Sequence, residues 1–530
     1  MNKWFKNSLL LTLAVFWSCM AVIGQDKNRV ELPIPAESDG YHVVPLGEKG
    51  VALISKPAKR KYRIQKFNTD LEEEWSTEGN IHSNLEYVAS AYDGNSIFLL
   101  FNRYRSSEYQ VVKVNAGPGF VENFVFQTID RFLITDFKTL GYSAFMAGTI
   151  RDEPVLLFSD LQTGKSKILP ISTKGVLSIQ SVEVDIEHQL MHISLVVKNG
   201  RSIRIVARSY NEFGELIAEV GAMPKEEYSL LNGRIQHLNE SEILLIGTYG
   251  YSNRQSSSSS TSQGLYISKF FNGEEQFTEY HSFTDFTHFF DFLSGRQLEK
   301  MERRIQKKKD EGEDLKLNYR LLVHDIIPTD NHYLVVAEVF YPEYKYNNNL
   351  YGMRSYWGNP WLFGSAFGYG LYNPYFFNPY YGMGGYYGSG NRVLDGFVYT
   401  HAIVAGIDLS GRLLWDNSIV FDNVKSNELR EKVTVTQNPN GEIQIVYGNK
   451  GTVWTKVVKE DKVVQEPRSI ELPTELEGDK VRSRSSEEVC HWFGPYYLAW
   501  GQQRIANPHS GDVATRGRRN VFYLSKIHFQ

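Results

Sequence analysis

Cysteine is almost missing from this chain: its 530 residues include two, Cys19 and Cys490. Neither a disulfide framework nor a cysteine-based zinc site can be built from them. An excess of one charge is missing as well. Lys and Arg number 57 against 61 Asp and Glu, a formal net of −4, so no basic field invites a nucleic-acid backbone. After the first two dozen residues no run of 18 uncharged apolar residues occurs, which excludes a membrane-spanning helix from the remainder. The Gly-x-Ser-x-Gly elbow, the complete phosphate loop Gly-x-x-x-x-Gly-Lys-Ser/Thr and Asp-x-Asp-x-Asp-Gly calcium loops are likewise absent. Aromatic residues are what the chain has in surplus: 32 Tyr, 31 Phe and 9 Trp. A hydrophobic share of 42% is that of a globular protein.

Met1 to Gly24 has the build of a secretory signal peptide. Lys3 and Lys6 form the positive start, Leu9 to Val15 and the residues after them a short apolar core. Ala21-Val22-Ile23-Gly24 then sets a small residue before a cut at Gln25. The rival is lipidation at Cys19, but Phe16-Trp17 suits a lipobox poorly. Either way the expectation is an exported chain in a bacterial envelope, periplasmic and in possible peripheral contact with the outer membrane. Removing the leader leaves Cys490 as the sole thiol. An exported chain with one cysteine forms no internal bridge, so packing must hold it together, and the thiol beside His491 and Trp492 reads as a small core residue.

Short alternating apolar runs separated by turn residues replace helical periodicity, which is the all-β signal. One unit recurs at intervals of roughly 50 residues: two strands, a third ending in an Asn, Asp or Gly turn, and a fourth that often carries an aromatic. Tyr62 to Trp75 and Ala402 to Trp415 show it best, with related turns at Asn115-Ala116-Gly117, Thr163-Gly164, Phe213-Gly214, Asn272-Gly273 and Lys459-Glu460-Asp461. Cutting there gives units near 41–80, 85–130, 132–172, 176–222, 228–286, 319–422, 428–473 and 483–530. The expected fold is therefore an eight-bladed β-propeller of four-stranded blades, or seven-bladed if the weak third unit is miscut. The last unit lacks one strand, and the orphan Arg29 to Ile34 is expected to supply it and close the ring.

The Asp-x-x-Gly-x-x-x-Trp ending resembles the tryptophan-docking repeats of PQQ-like propellers, clearly in units 62–75 and 402–415. That superfamily includes quinoprotein dehydrogenases, which are enzymes, and BamB-like scaffolds of the bacterial envelope, which are not. The enzymes' adjacent cysteine pair is missing here, so no quinone site and no other cofactor is carried over.

In a propeller, loops joining second to third strands share a face with loops joining one blade to the next. The long excursions all fall on those two kinds: 253–263, the helical insertion 289–317, the Tyr/Gly-rich loop 344–394, and 506–519. Scaffold positions usually keep short turns, so one decorated working face is expected. In the helical insertion Leu298, Met301 and Ile305 form an apolar stripe among Arg296, Lys300, Arg303, Arg304, Lys307, Lys308 and Lys309, with Gly312 as a stop. Two readings stand: a solvated helix lying on the propeller, or a basic arm docking an acidic protein surface or anionic lipid. Residues 351–390 hold 15 aromatics, 10 Gly and one charge, Arg354. Tyr356, Trp357, Trp361, Phe363, Tyr375, Phe376, Phe377, Tyr380 and Tyr381 stand out as partner-binding residues, because so many bare rings exceed what a monomer leaves wet.

Catalytic and metal residues are not assigned. His188 and His192 lack a zincin's glutamate, and His281, Asp285 and His288 have an unspecific spacing. The expectation is a non-enzymatic scaffold or accessory subunit that binds a protein partner, with no nucleic acid and no cofactor. Its rivals are a hydrolase or lyase with acids, histidines or tyrosines on the propeller axis, and a glycan-binding module using Trp357 and Trp361.

Overall fold

A computed structural model describes residues 28–34, 40–171, 175–199, 202–252, 261–324, 326–346, 392–508 and 516–529. The leader and most of the Tyr/Gly-rich loop lie outside these. Eight antiparallel sheets follow one another as the blades of a β-propeller. Blades one to four span Tyr41–Asn80, Glu86–Gln127, Leu133–Leu169 and Val176–Ala222; blades five to seven span Tyr228–Ser282, Arg320–Ser426 and Val433–Glu471. In blades five and six the inner strand is broken in two, giving five-stranded sheets. Among the described residues no helix is long and apolar enough to cross a membrane.

The eighth blade closes the ring as expected. Lys480–Phe493, Tyr496–Asn507 and Gly517–His528 form its inner three strands, and Arg29–Pro33 pairs with the last of them, Arg29 opposite Ser525 and Pro33 opposite Val521. Val30 is buried, and Arg29 lies 4.3 Å over the Tyr523 ring. Residues from both ends of the described chain thus share one sheet, with Arg29–Pro33 as the outer, fourth strand of the last blade.

The recurring turn has a chemical basis. At the third-to-fourth strand corner, an Asn or Asp side chain accepts backbone N–H bonds from residues further round the turn. Asn68 does so from Asp70 and Glu72, Asp160 from Gln162 and Thr163, Asn211 from Phe213 and Glu215, and Asp408 from Ser410 and Arg412. These are Asx turns, which fix the corner locally. Blade five instead uses Asn272-Gly273 with φ of +50° and +82°, the hairpin pairing that tolerates two left-handed residues. Of the two tryptophans ending the clearest repeats, Trp75 donates Nε1–H to Gly117 O of the next blade at 2.9 Å. Trp415 packs over Gly406 of its own sheet, where a Cβ would collide with the indole.

The core is a series of layers between neighbouring blades. The most extensive joins blades five and six, where Leu244, Leu265, Leu321, Val335 and Ile403 are all buried. Alternating strand residues supply these layers from both sides, the period-2 pattern of the sequence.

Candidate functional site

Two regions stand apart from the repeat: the insertion-bearing face and the axis. On the first, the chain leaving blade five turns at Phe283–Asp285 under a capping box from Ser282. Phe283, Phe286, Phe289 and Phe290 then sink into the layer between blades five and six. Asp416 anchors this segment, accepting N–H from Thr287 and His288 at 2.7 Å each. Phe292 stacks on buried His401 at 4.5 Å. Only after this aromatic anchor does the α-helix begin, running Gly295–Asp310, with Gly312 in left-handed conformation (φ +69°) just past its end. Leu298, Met301 and Ile305 pack on the same layer, so the apolar stripe is covered.

The opposite side of the helix faces solvent. Arg303 pairs with Glu299 at 3.5 Å, Lys307 with Glu311 at 3.8 Å, and Lys308 with Glu311 and Glu313 at 2.7 Å each. Arg296, Lys300 and Arg304 are exposed and form no ion pair among the described residues. In blade six the second and third strands lengthen to 15 and 17 residues. Its strands His332–Tyr346 and Arg392–Asp408 stay paired to Tyr346 opposite Arg392, so the ladder enters the Tyr/Gly-rich segment at both ends and the insertion proper is 347–391. Tyr341 and Tyr344 on this stalk are exposed, at 46% and 53%. Lys425 bridges Glu343 at 2.5 Å and Asp395 at 2.6 Å across it.

The axis holds a cavity of about 630 Å³. Its walls come from the last residues of inner strands and the turns after them, such as Val43–Pro45, Ser90–Tyr92, Glu183–Glu187 and Glu488–His491. By strand direction it opens on the face away from the insertions. Arg430 and Glu431, from the connection between blades six and seven, floor it at the other end. A charge network spans that floor. Arg234 of blade five donates to Glu183 and Glu431 at 3.1 Å each and to Val323 O at 3.0 Å. Glu431 also lies 3.7 Å from His324, whose Nε2 meets Glu338 at 3.0 Å. Burial opposes the charged form of His324, but Glu431 and Glu338 outweigh it and hold its pKa above the usual histidine range. Lys432 Nζ and Arg430 close on Glu488 at 3.0 and 3.3 Å.

A second cluster lies on the wall between blades four and five. His188 Nδ1 is 2.7 Å from Asp185, and His192 Nε2 is 3.7 Å from the same carboxylate oxygen. Ser209 Oγ contacts His192 Nδ1 at 2.9 Å and His237 Nε2 at 3.0 Å. The His192 and His237 rings stack 4.4 Å apart. Burial would raise the Asp185 pKa, yet His192 and His188 hold it well below the carboxylate range. Burial, then His192, pushes His237 down to about 4, so its imidazole is neutral at physiological pH.

No family model matches the chain, and no curated protein matches it. Similar solved structures include the polysaccharide lyase Uly1, at 8% identity and TM-score 0.37 over 85% of this chain and 91% of its own. The Dos1 propeller matches at 8% identity and TM-score 0.35 over 84% and 93%. The tricorn protease matches at 10% identity and TM-score 0.35, over 84% of this chain and 36% of its own. At such identities the chemistry has to be read from this chain's own side chains.

Arg303, Arg304, Lys307 and Lys308 lie together on the helix, Lys308 being the one tied most fully to carboxylates. Tyr356, Trp357, Trp361, Phe363, Tyr375, Phe376, Phe377, Tyr380 and Tyr381 lie outside the described residues. His281, Asp285 and His288 do not converge: they meet Gly411 O, Lys309 and Asp291 respectively. Among the described residues no group of three metal-ligating side chains assembles. His188 and His192, four apart in the sequence and without a zincin's glutamate, both face Asp185. The axial residues were invisible in sequence because they come from different blades. The one available signal was a titratable residue near the end of an inner strand.

Proposed function

We propose that this propeller is a non-enzymatic scaffold or accessory subunit of the bacterial envelope, docking an acidic protein surface through its insertion-bearing face. One observation carries the reading. The helix Gly295–Asp310 is pinned by its apolar stripe and leaves Arg296, Lys300 and Arg304 exposed and without ion pairs among the described residues, on a connection of the kind that shares a face with the insertion 347–391. A rigidly mounted, uncompensated cationic row favours an anionic partner and steers its approach. The aromatic-rich segment on the stalk supplies rings of the kind that dominate interface cores. Kinship with BamB-like scaffolds fits this reading and is supported by Trp75 docking on the next blade.

Two variants test it by co-purification from native membranes: deletion of 347–391 with Tyr346 and Arg392 joined by a short linker, and Arg296→Glu/Lys300→Glu/Arg304→Glu. Both should remain folded, and each should lose a partner that wild type retains. Unchanged co-purification in both would defeat the proposal. A second reading, a hydrolase or lyase working on the axis, is favoured by the acids and histidines around the cavity. Incubating the protein with a panel of polysaccharides, with His237→Gln as control, checks it; no product from any of them counts against it.

A further inference from the structure

On the wall of the axial cavity, the Lys138 ammonium and Nδ1 of His237 keep bonding capacity that no described residue uses. Lys138 lines it from blade three, is 9% exposed, and makes no hydrogen bond or ion pair among the described residues. A cation this little exposed, with no hydrogen bond from the protein, is satisfied only by what occupies the cavity. Asp136, two residues earlier on the same strand face, does not fill that role. It forms no ion pair, its Oδ2 is buried without a partner, and burial pushes its pKa up despite Lys138.

The other group is His237, 6% exposed, which lines the cavity from blade five. Its Nε2 is committed to Ser209, and its Nδ1 has no partner among the described residues. The Asp185 carboxylate, 3.7 Å from His192 Nε2, favours one placement of the protons along this row of contacts. In that placement His192 Nε2 holds its hydrogen toward Asp185. His192 Nδ1 then accepts from the Ser209 hydroxyl, and the Ser209 oxygen accepts from His237 Nε2–H. This is the order that avoids a lone pair facing the Asp185 carboxylate. It leaves His237 Nδ1 as a lone pair, an acceptor turned to the cavity.

Between these two groups runs the end of blade four's inner strand, with Glu183, Asp185 and the exposed rim residue Glu187. Acceptors therefore outnumber free donors: besides the Lys138 ammonium, the Thr139 hydroxyl is buried without a partner among the described residues. A ligand that fits must bring a single negative charge for Lys138 and several hydrogen-bond donors for the rest. A dianionic phosphate would stand against the Glu183, Asp185 and Glu187 carboxylates. A hydroxylated monocarboxylate carries half that charge and offers hydroxyl donors to the same carboxylates. Tyr92, Ile235, Val489 and Trp500 add apolar wall for the carbon face of such a molecule, and the volume is that of a small-molecule site.

We propose that the axial cavity binds a small polyhydroxylated carboxylate of the sugar-acid class, with Lys138 holding the carboxylate and His237 Nδ1 accepting a ligand hydroxyl. The docking reading is not required for this, because the cavity opens on the other face.

The test is calorimetric titration of the purified chain with D-glucuronate and D-galacturonate, against D-glucose and acetate. At least one uronate should bind about tenfold more tightly than either control. Lys138→Met should lower that affinity about tenfold or more, Lys138→Arg should retain most of it, and His237→Phe should weaken it several-fold while leaving the ring volume filled. If Lys138→Met does not fold, the comparison of Lys138→Arg and His237→Phe with wild type still decides. The triple helix variant Arg296→Glu/Lys300→Glu/Arg304→Glu should bind the uronate as wild type does. Uronates that bind no better than glucose, or an affinity indifferent to both Lys138→Met and His237→Phe, would overturn the assignment.

Discussion

Replacing Glu31 by Gln should loosen the seam of the ring. Glu31 sits in the strand donated to blade eight, with a side chain 5% exposed. It accepts from Arg29 at 2.8 and 3.0 Å, from the Glu475 backbone at 3.2 Å and from Arg519 at 3.1 Å. Glutamine keeps the shape and removes the charge, leaving two guanidinium groups with Asp479 as the nearest remaining carboxylate in the network. Breaking one side of a buried pair costs about 3–5 kcal/mol. Arg29 retains Gln503 at 2.8 Å and the Tyr523 ring, so the lower end, about 3 kcal/mol, is expected. If the loss falls on local opening of the seam, amide exchange in Val521–His528 should accelerate about a hundredfold. Hydrogen exchange by mass spectrometry reads this directly, with Ser143–Ile150 in blade three as internal reference. A change under about threefold at the seam, in a variant that remains folded, would refute the idea that this carboxylate locks the ring.

His401 should make the protein acid-sensitive. It is fully buried, and burial pushes its pKa down to about 3, while an unfolded histidine titrates near 6.5. Between those values the unfolded chain binds a proton that the folded one refuses, so stability is full above about pH 6.5 and falls with pH by up to about 1.4 kcal/mol per unit. His401→Phe keeps a ring against Phe292 and should flatten the dependence of the urea midpoint from about pH 7 to pH 5 by about 2 kcal/mol; an equally steep wild type and variant would contradict this. The Cys490 thiol, pushed up to about 12 by burial and then by Glu488, should react slowly with iodoacetamide until denaturant is added. Its side chain lines the axial cavity, so rapid labelling of the native protein would show the thiolate to be far more available than this.

Much of the architecture was legible before any coordinates. Alternation of apolar residues, Asx corners such as Asn68 and Asp408, and the orphan strand Arg29–Ile34 are local or nearly local signals. They suffice to name a propeller of eight or seven blades and its closing strand, and the structure decides for eight. The inserted helix was legible in outline, but its start was not: Phe289 belongs to the aromatic anchor, and the helix begins six residues later, at Gly295. A run of phenylalanines followed by a basic amphipathic stretch does not say which rings leave the helix to fill a layer between blades.

The sequence by itself determined the strand pattern, the turn chemistry and the side of the ring on which long connections emerge, because each depends on neighbours in the chain. The tertiary structure alone decided which charges meet. Arg234, Glu431 and His324 come from three different stretches of chain, as do Lys138, His192 and His237. Ring closure brings them to one axis, where burial and neighbouring carboxylates, rather than any spacing along the chain, set the protonation of His237 and His324, and where Lys138 and Nδ1 of His237 face the cavity without a hydrogen-bond partner among the described residues.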